Sequence, residues 1–236
     1  YANSLALAMG FPLTPFFADI AARDDTVRVR HAWFQSSRVL QLVMFGAVLG
    51  LFALGEAFLG RWMGQEYARE GRWVLRLLTA TLALDALSPS SQRLLLSLGK
   101  HGAAAKIALA LSIINVALSI PAARIWGISG IAMTVLVTAG LTTVLMMRMA
   151  CRALGVSVRH HLLETAWRFR FPVLAGGAAF ALLATLPWSN GYGSIVARGA
   201  LGGGTYLATA WFFALDAGER RRLLAGASRG LQREGR

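Results

Sequence analysis

AAAKIALALSIINVALSIPAARIWGISGIAMTVLVTAGLTTVLMM, residues 103–147, decides the fold class. A bilayer-spanning helix needs about 20 predominantly apolar residues. This stretch holds two such runs, 103–123 and 128–147, on either side of a joint at 124–130. A joint of about seven residues makes the two runs antiparallel neighbours, so the stretch reads as a helical hairpin.

Working outward, further apolar runs cover 39–60 and 73–98 on one side and 172–188 and 195–215 on the other. Run 172–188 is the shortest, and Arg170 and Trp188 flank it as interfacial anchors do. The expected fold is therefore all-α, a polytopic transmembrane helix bundle of about six complete spans. Residues 5–17, interrupted by Pro12 and Pro15, read as part of one more span. Because the chain also opens on Tyr1, it is expected to be a fragment lacking its N-terminal portion.

The organisation that follows has five parts. Residues 1–38 are the end of a preceding span and a connector, 39–149 four spans, 150–171 a basic loop, 172–215 a final helix pair, and 216–236 a basic tail. Within the connector, 18–38 mixes charges with Val27, Val29, Trp33 and Phe34, which suits either an amphipathic helix at the membrane surface or a solvated loop. Gly46 and Gly50, and likewise Gly199 and Gly203, are spaced four apart, as close helix packing in lipid favours.

Composition agrees with the membrane class: 56% of residues are hydrophobic and 15% charged, with a mean hydropathy of +0.54. Soluble domains run nearer a quarter charged. The formal charge of +13 raises the question of nucleic acid, but the cations alternate by loop instead of gathering on one surface. One set of loops carries 18 of the 24 Lys and Arg, from Arg23 to Arg38, Arg93 to Lys106, Arg148 to Arg170, and in the tail; the opposite set carries Arg61, Arg69, Arg72, Arg76, Arg124 and Arg198. By the positive-inside rule the first set faces the cytoplasm, and so does the C-terminus.

Charged and amide side chains at membrane depth are expensive and mark function by default. Counting 1.5 Å per residue from Trp73 puts Asp85 about 18 Å into a core roughly 30 Å thick. Thr81, Asp85, Ser88 and Gln92 recur at spacings of four, three and four, one face of a helix. Pro89 is expected to kink that helix and free carbonyls, so the stripe is expected to line a cavity. Arg76, half a helical rotation from Asp85, can snorkel outward; Arg93, at the cytoplasmic end, either anchors the helix or meets an anionic head group. Asp85 is either a structural carboxylate bonded to a neighbouring helix, for instance to Asn115, or a group for ion coupling or substrate contact.

In the hairpin, Ala108, Ser112, Asn115, Ser119 and Ala122 share a face, with Asn115 as interhelical glue. Gly130, Thr134 and Thr138 repeat every four residues, and packing suffices to explain them. The substrate- or cavity-lining set is thus Arg76, Thr81, Asp85, Ser88, Gln92, Arg93 and Asn115.

Catalysis finds little support. His31, His101, His160 and His161 fall in cytoplasmic loops without a metal-ligand cluster, and Cys151 has no partner for a disulfide. Gly202, Gly203 and Gly204 lie inside an apolar run, which rules out a phosphate-binding loop, and no nucleophile elbow or Walker motif appears. No enzyme activity and no cofactor are expected; any transport draws on a proton, sodium or substrate gradient.

Three stretches carry a family resemblance. Phe11-Pro12-Leu13-Thr14-Pro15 precedes a charged connector with Asp24, Asp25 and Arg28; Arg61-Trp62-Met63-Gly64-Gln65-Glu66-Tyr67-Ala68 follows the next span; and Asn115 precedes Gly127-Ile128-Ser129-Gly130-Ile131-Ala132-Met133-Thr134. In order and spacing these resemble the C-terminal half of a polysaccharide-biosynthesis flippase of the multidrug/oligosaccharidyl-lipid/polysaccharide superfamily. The resemblance implies the second bundle and trailing helix pair of such a flippase, in a bacterial cytoplasmic membrane, possessing an alternating-access cavity. It implies export of undecaprenyl-pyrophosphate-linked oligosaccharide for surface polysaccharide or O-antigen, with Asp85, Arg93, Arg76 and Asn115 as cavity positions. The partners it implies are membrane lipid, the lipid-linked oligosaccharide and other polysaccharide-assembly proteins. Rival readings are a cation-coupled drug antiporter of the same superfamily, using Asp85 as its ion site, and a non-transport structural subunit of a membrane assembly.

Overall fold

A computed structural model of the chain describes residues 26–187, 191–216 and 218–220. The partial span at 5–17, the motif at 11–15 and the tail beyond 220 lie outside the described residues. Among the described residues every regular element is helical: α1 (Thr26–Trp62), α2 (Gln65–Asp85), α3 (Ser91–Ser97), α4 (His101–Ala153), α5 (Val158–Glu164), a 3-10 turn (Ala166–Phe169), α6 (Arg170–Thr185) and α7 (Tyr192–Phe213).

α1 has no proline and, before Gly46, no glycine, so nothing stops the helix between the connector and the apolar run. It continues for 37 residues, about 55 Å. The expectation of a separate surface helix or solvated loop up to residue 38 is therefore corrected over 26–38. That segment is the first part of α1, and Val29, Ala32, Trp33 and Phe34 on it are buried.

The expected single span over 73–98, kinked at Pro89, is also corrected. α2 starts earlier, at Gln65, and stops at Asp85; a turn covers 86–90 before the seven-residue α3. Proline lacks an N–H and pushes the residue before it out of helical geometry, so the helix ends instead of bending. α1 meets the polar groups this break frees. Ser37 and Ser90 hydroxyls hydrogen-bond at 2.5 Å, and Gln41 Nε2 donates to the Leu87 carbonyl at 3.2 Å.

α4 is a hairpin in helical register on both sides of one residue. Gly127 has φ +59° and ψ −143°, a conformation that a side chain would strain, and the chain reverses there. On a straight helix Asn115 and Thr138 would stand about 35 Å apart, yet their side chains are 2.7 Å apart. The two arms meet closest at Gly130, where a Cβ would run into the Ala122 carbonyl oxygen. The hairpin read from residues 103–147 is present.

α2 packs between α1 and the α4 hairpin, and α1 packs on its other side against the α6–α7 pair. Tyr206, 1% exposed, ties α7 to α1 by donating from its hydroxyl to the Leu42 carbonyl at 2.9 Å and laying its ring on Gly46. Gly50 and Gly203, expected to admit a neighbour, face open space.

The helix ends gather into two poles. At one, Val29 and Trp33 of α1, Leu94 and Leu95 of α3, and Ala104, Met147 and Cys151 of α4 form a buried cluster. At the other, the Arg61 guanidinium lies 5.6 Å from the Tyr192 ring, whose hydroxyl donates to the Arg61 carbonyl. The first pole carries an ionic knot whose centre, Arg38 and Glu219, is buried. Arg38, 4% exposed, pairs with Glu219 at 2.7 Å and Asp216 at 3.0 Å, while Arg168 pairs with Asp216 at 2.7 Å and Glu164 at 2.8 Å. It clamps α1 to the end of α5 and to the segment after α7.

Among the described residues two helices, α1 and α4, are long and apolar enough to cross a membrane. Only 11% of the most apolar window of each is buried, so both present apolar side chains outward, as Leu109, Ile113, Val116 and Ile120 do on α4.

Candidate functional site

The polar side chains of the hairpin arms face each other and bond across the seam. Asn115 Nδ2 donates to Thr138 Oγ1 at 2.7 Å, and the Ser119 and Thr134 hydroxyls meet at 2.8 Å. Ser119 also donates to Asn115 Oδ1 at 3.3 Å. Thr138 and Thr142 each return a bond to the carbonyl four residues earlier, at 2.8 Å. Such back-bonding satisfies a hydroxyl in apolar surroundings while leaving its lone pairs pointing outward.

Asp85 closes this seam from α2. The Thr143 hydroxyl donates to its Oδ1 at 3.1 Å, its one hydrogen-bond partner among the described residues. As the last residue of α2, Asp85 sits at the negative end of the helix dipole, where a carboxylate is disfavoured by about 0.3–1 kcal/mol. Helix stability therefore gives no reason for an aspartate there. A groove of about 420 Å³ opens beside it, lined by Asp85, Ser112, Asn115, Thr138 and Thr142 on apolar walls such as Leu111 and Val116. A carboxylate has several acceptor positions, and Asp85, which lines this groove, has one of them filled by Thr143.

One carboxylate, one amide and several hydroxyls, with no cation among the lining residues, make a site for hydroxyl donors or a small cation. Phosphate oxygens would meet like charge there.

Of the residues singled out from sequence, Asp85 and Asn115 come together in the groove, though not through a bond between them. The suggested Asp85–Asn115 contact is replaced by two separate ones, Asp85 with Thr143 and Asn115 with Thr138. The others do not line it. Thr81 donates to the Leu77 carbonyl at 3.0 Å within α2. Ser88, past the end of that helix, shares a hydrogen bond with Ser91. Gln92 is exposed and Arg93 half-buried on α3. Arg76 is exposed, its guanidinium 5.5 Å from the Trp73 ring. The single-face stripe is thus corrected, because the helix that would carry it ends at Asp85.

Thr142, which lines the groove, and Thr143, which bonds Asp85 beside it, are the polar residues that sequence reasoning passed over. The four-residue repeat of Thr134 and Thr138 continues to Thr142, and that continuation was the available signal.

No group of three or more His, Cys, Asp or Glu among the described residues is placed to hold a metal ion. No protein-family model matches the chain, and no curated protein or solved structure is detectably similar to it.

Proposed function

We propose that this chain is part of a membrane transporter, and that its cargo is a lipid-linked oligosaccharide moved across a bacterial cytoplasmic membrane. The observation that carries the reading is the groove around Asp85 and Asn115. It sits within otherwise apolar helices and opens on the outside of the bundle among exposed apolar side chains. Polar groups in that setting are expensive unless a pathway uses them.

On this reading six crossings span the bilayer: α1, α2 with α3, the two arms of α4, α6 and α7. The pole that holds most of the cations faces the cytoplasm. The resemblance of the chain to the second bundle and trailing pair of a polysaccharide flippase supplies the substrate class. The groove chemistry divides the labour: hydroxyl, amide and carboxylate groups suit sugar hydroxyls. Cations for the pyrophosphate have to come from outside the groove, where Arg76 and Arg93 lie.

One observation favours a second reading. A carboxylate held by a single hydroxyl suits a coupling proton or sodium ion, the need of a cation-coupled drug antiporter. To separate them, the chain, together with any coding sequence that precedes it, is expressed in a host deleted for its own O-unit flippase. Restored surface polysaccharide, lost again in Asp85→Ala, supports the flippase. Drug resistance without restoration transfers the assignment to the antiporter, and neither phenotype leaves a structural subunit. Full restoration by Asp85→Asn removes the groove from the mechanism.

A further inference from the structure

The cationic pole holds a second cleft, of about 380 Å³, whose chemistry is not that of the groove. Val27, Arg30, His31, Arg38, His160 and Asp216 are among its lining residues. Arg30 and His160 are gathered around one ring: the Arg30 guanidinium is 6.0 Å from the centre of Phe34, and the His160 ring meets Phe34 edge-on at 5.7 Å. Among the described residues no carboxylate pairs with Arg30, and no hydrogen bond to another of them engages the side chain of His31 or His160. Three donors therefore face the cleft with capacity to spare.

Carboxylates line the same cleft. Asp216 pairs with Arg38 and Arg168, yet its side chain stays 53% exposed, and that of Glu164 stays 40% exposed. A carboxylate in two ion pairs still has free lone pairs for a further N–H donor. Over cleft and knot the charges balance: Arg30, Arg38 and Arg168 stand against Glu164, Asp216 and Glu219. A purely anionic ligand gains little from a neutral site. A ligand carrying both signs can use both kinds of group, and Val27, 75% exposed, offers an apolar surface beside them.

We propose that this cleft binds the head group of an aminophospholipid, with the phosphate toward Arg30, His31 and His160 and the primary ammonium toward Asp216. The inference rests on the membrane reading above, which puts this pole at the cytoplasmic head-group layer. It assigns the cleft a lipid that holds the cytoplasmic end of α1 in place, not the transported cargo.

The test compares lipids retained by the purified full chain in native mass spectrometry, after reconstitution with equal phosphatidylethanolamine, phosphatidylcholine and phosphatidylglycerol. Phosphatidylcholine keeps the phosphate and removes the N–H donors; phosphatidylglycerol removes the ammonium. The expected result is about a tenfold preference for phosphatidylethanolamine, from charge-assisted hydrogen bonds to both its phosphate and its ammonium. Arg30→Gln, which leaves the ionic knot intact, should bring that preference close to parity, and His160→Gln should lower it less. Equal retention of the three lipids, preference for phosphatidylglycerol, or an unchanged preference in Arg30→Gln overturns the proposal. If alkaline carbonate strips the chain from membranes, the membrane reading fails separately. Titration with soluble glycerophosphoethanolamine then decides for the cleft: binding weakened by Arg30→Gln keeps it, and no binding removes it.

Discussion

Two polar regions of this bundle are built on opposite terms. At the cationic pole Arg38, Glu164, Arg168, Asp216 and Glu219 satisfy one another, and the most buried members, Arg38 and Glu219, are paired to each other at 2.7 Å. In the groove Asp85 has one hydroxyl partner and faces open space. In the knot each carboxylate is already paired with a guanidinium, so the loss of one member is felt first in packing. The groove spends a carboxylate where the helix dipole disfavours it, which points to work done on something outside the chain. The difference predicts that variants at the pole change stability and variants in the groove change activity.

The sharpest way to break that comparison is Arg38→Met, which keeps the side-chain bulk and removes the charge. Glu219, 2% exposed, would be left buried without its partner, and breaking a buried pair from one side costs about 3–5 kcal/mol. Thermal unfolding in detergent should show the loss. The double variant Arg38→Met with Glu219→Leu should recover most of it, since apolar replacement of a whole pair is often neutral. A single variant as stable as the parent would show the knot to be ornamental.

The same pole contains an acid-sensitive contact. His161 is fully buried in α5, stacked on Trp33 of α1 at 4.1 Å, and no hydrogen bond reaches either ring nitrogen. Burial, with a smaller contribution from His160, lowers its pKa from 6.5 to about 4. The unfolded chain therefore takes up a proton near pH 6.5 that the folded chain refuses until about pH 4. Stability contributed by this site is constant above pH 6.5 and falls as pH drops through that window, by roughly 3 kcal/mol in all. His161→Phe keeps the stack and removes the titration, so its stability should be flatter over pH 4–6.5 than that of the parent; equal slopes would refute the assignment.

How much of this was legible in the sequence follows from the range of each interaction. The hairpin at 103–147 was readable because both arms and the joint are contiguous, and Asn115 was read as interhelical glue. The end of α2 at Asp85 was missed because a proline in an apolar run permits either a kink or a stop. What tips the balance is the pair of bonds from Ser37 and Gln41 of α1, some 46 to 53 residues away. The knot was invisible for the same reason: Arg38, read in sequence only as a loop charge, meets Glu219 across 181 residues. Periodicity reports which face a residue takes, not which partner waits there.

Within the seam, Asn115→Ala tests whether the hairpin arms need their cross-bond. The amide would leave Thr138 and Ser119 each short of one partner, but Thr138 keeps its bond to the Thr134 carbonyl. Interhelical polar bonds in lipid contribute about 0.6 kcal/mol on average and rarely more than about 1.7. The expected loss in unfolding free energy is therefore about 1 kcal/mol, well below that of Arg38→Met. A loss as large as at the knot would mean that the groove wall is as structural as the pole.

Asp85→Asn should have the smallest effect on stability and the most telling one on activity. The amide oxygen still accepts from Thr143, so the one bond that Asp85 makes survives. Removing a negative charge from the C-terminal end of α2 relieves an unfavourable dipole contact, a gain of about 0.3–1 kcal/mol. The variant should thus unfold at or slightly above the parental temperature while losing surface-polysaccharide restoration in the flippase-deleted host. Stability and function moving in opposite directions is the signature of a group retained for its chemistry. If Asp85→Asn is instead less stable and fully active, Asp85 belongs with the knot as packing, and the contrast between the two regions disappears.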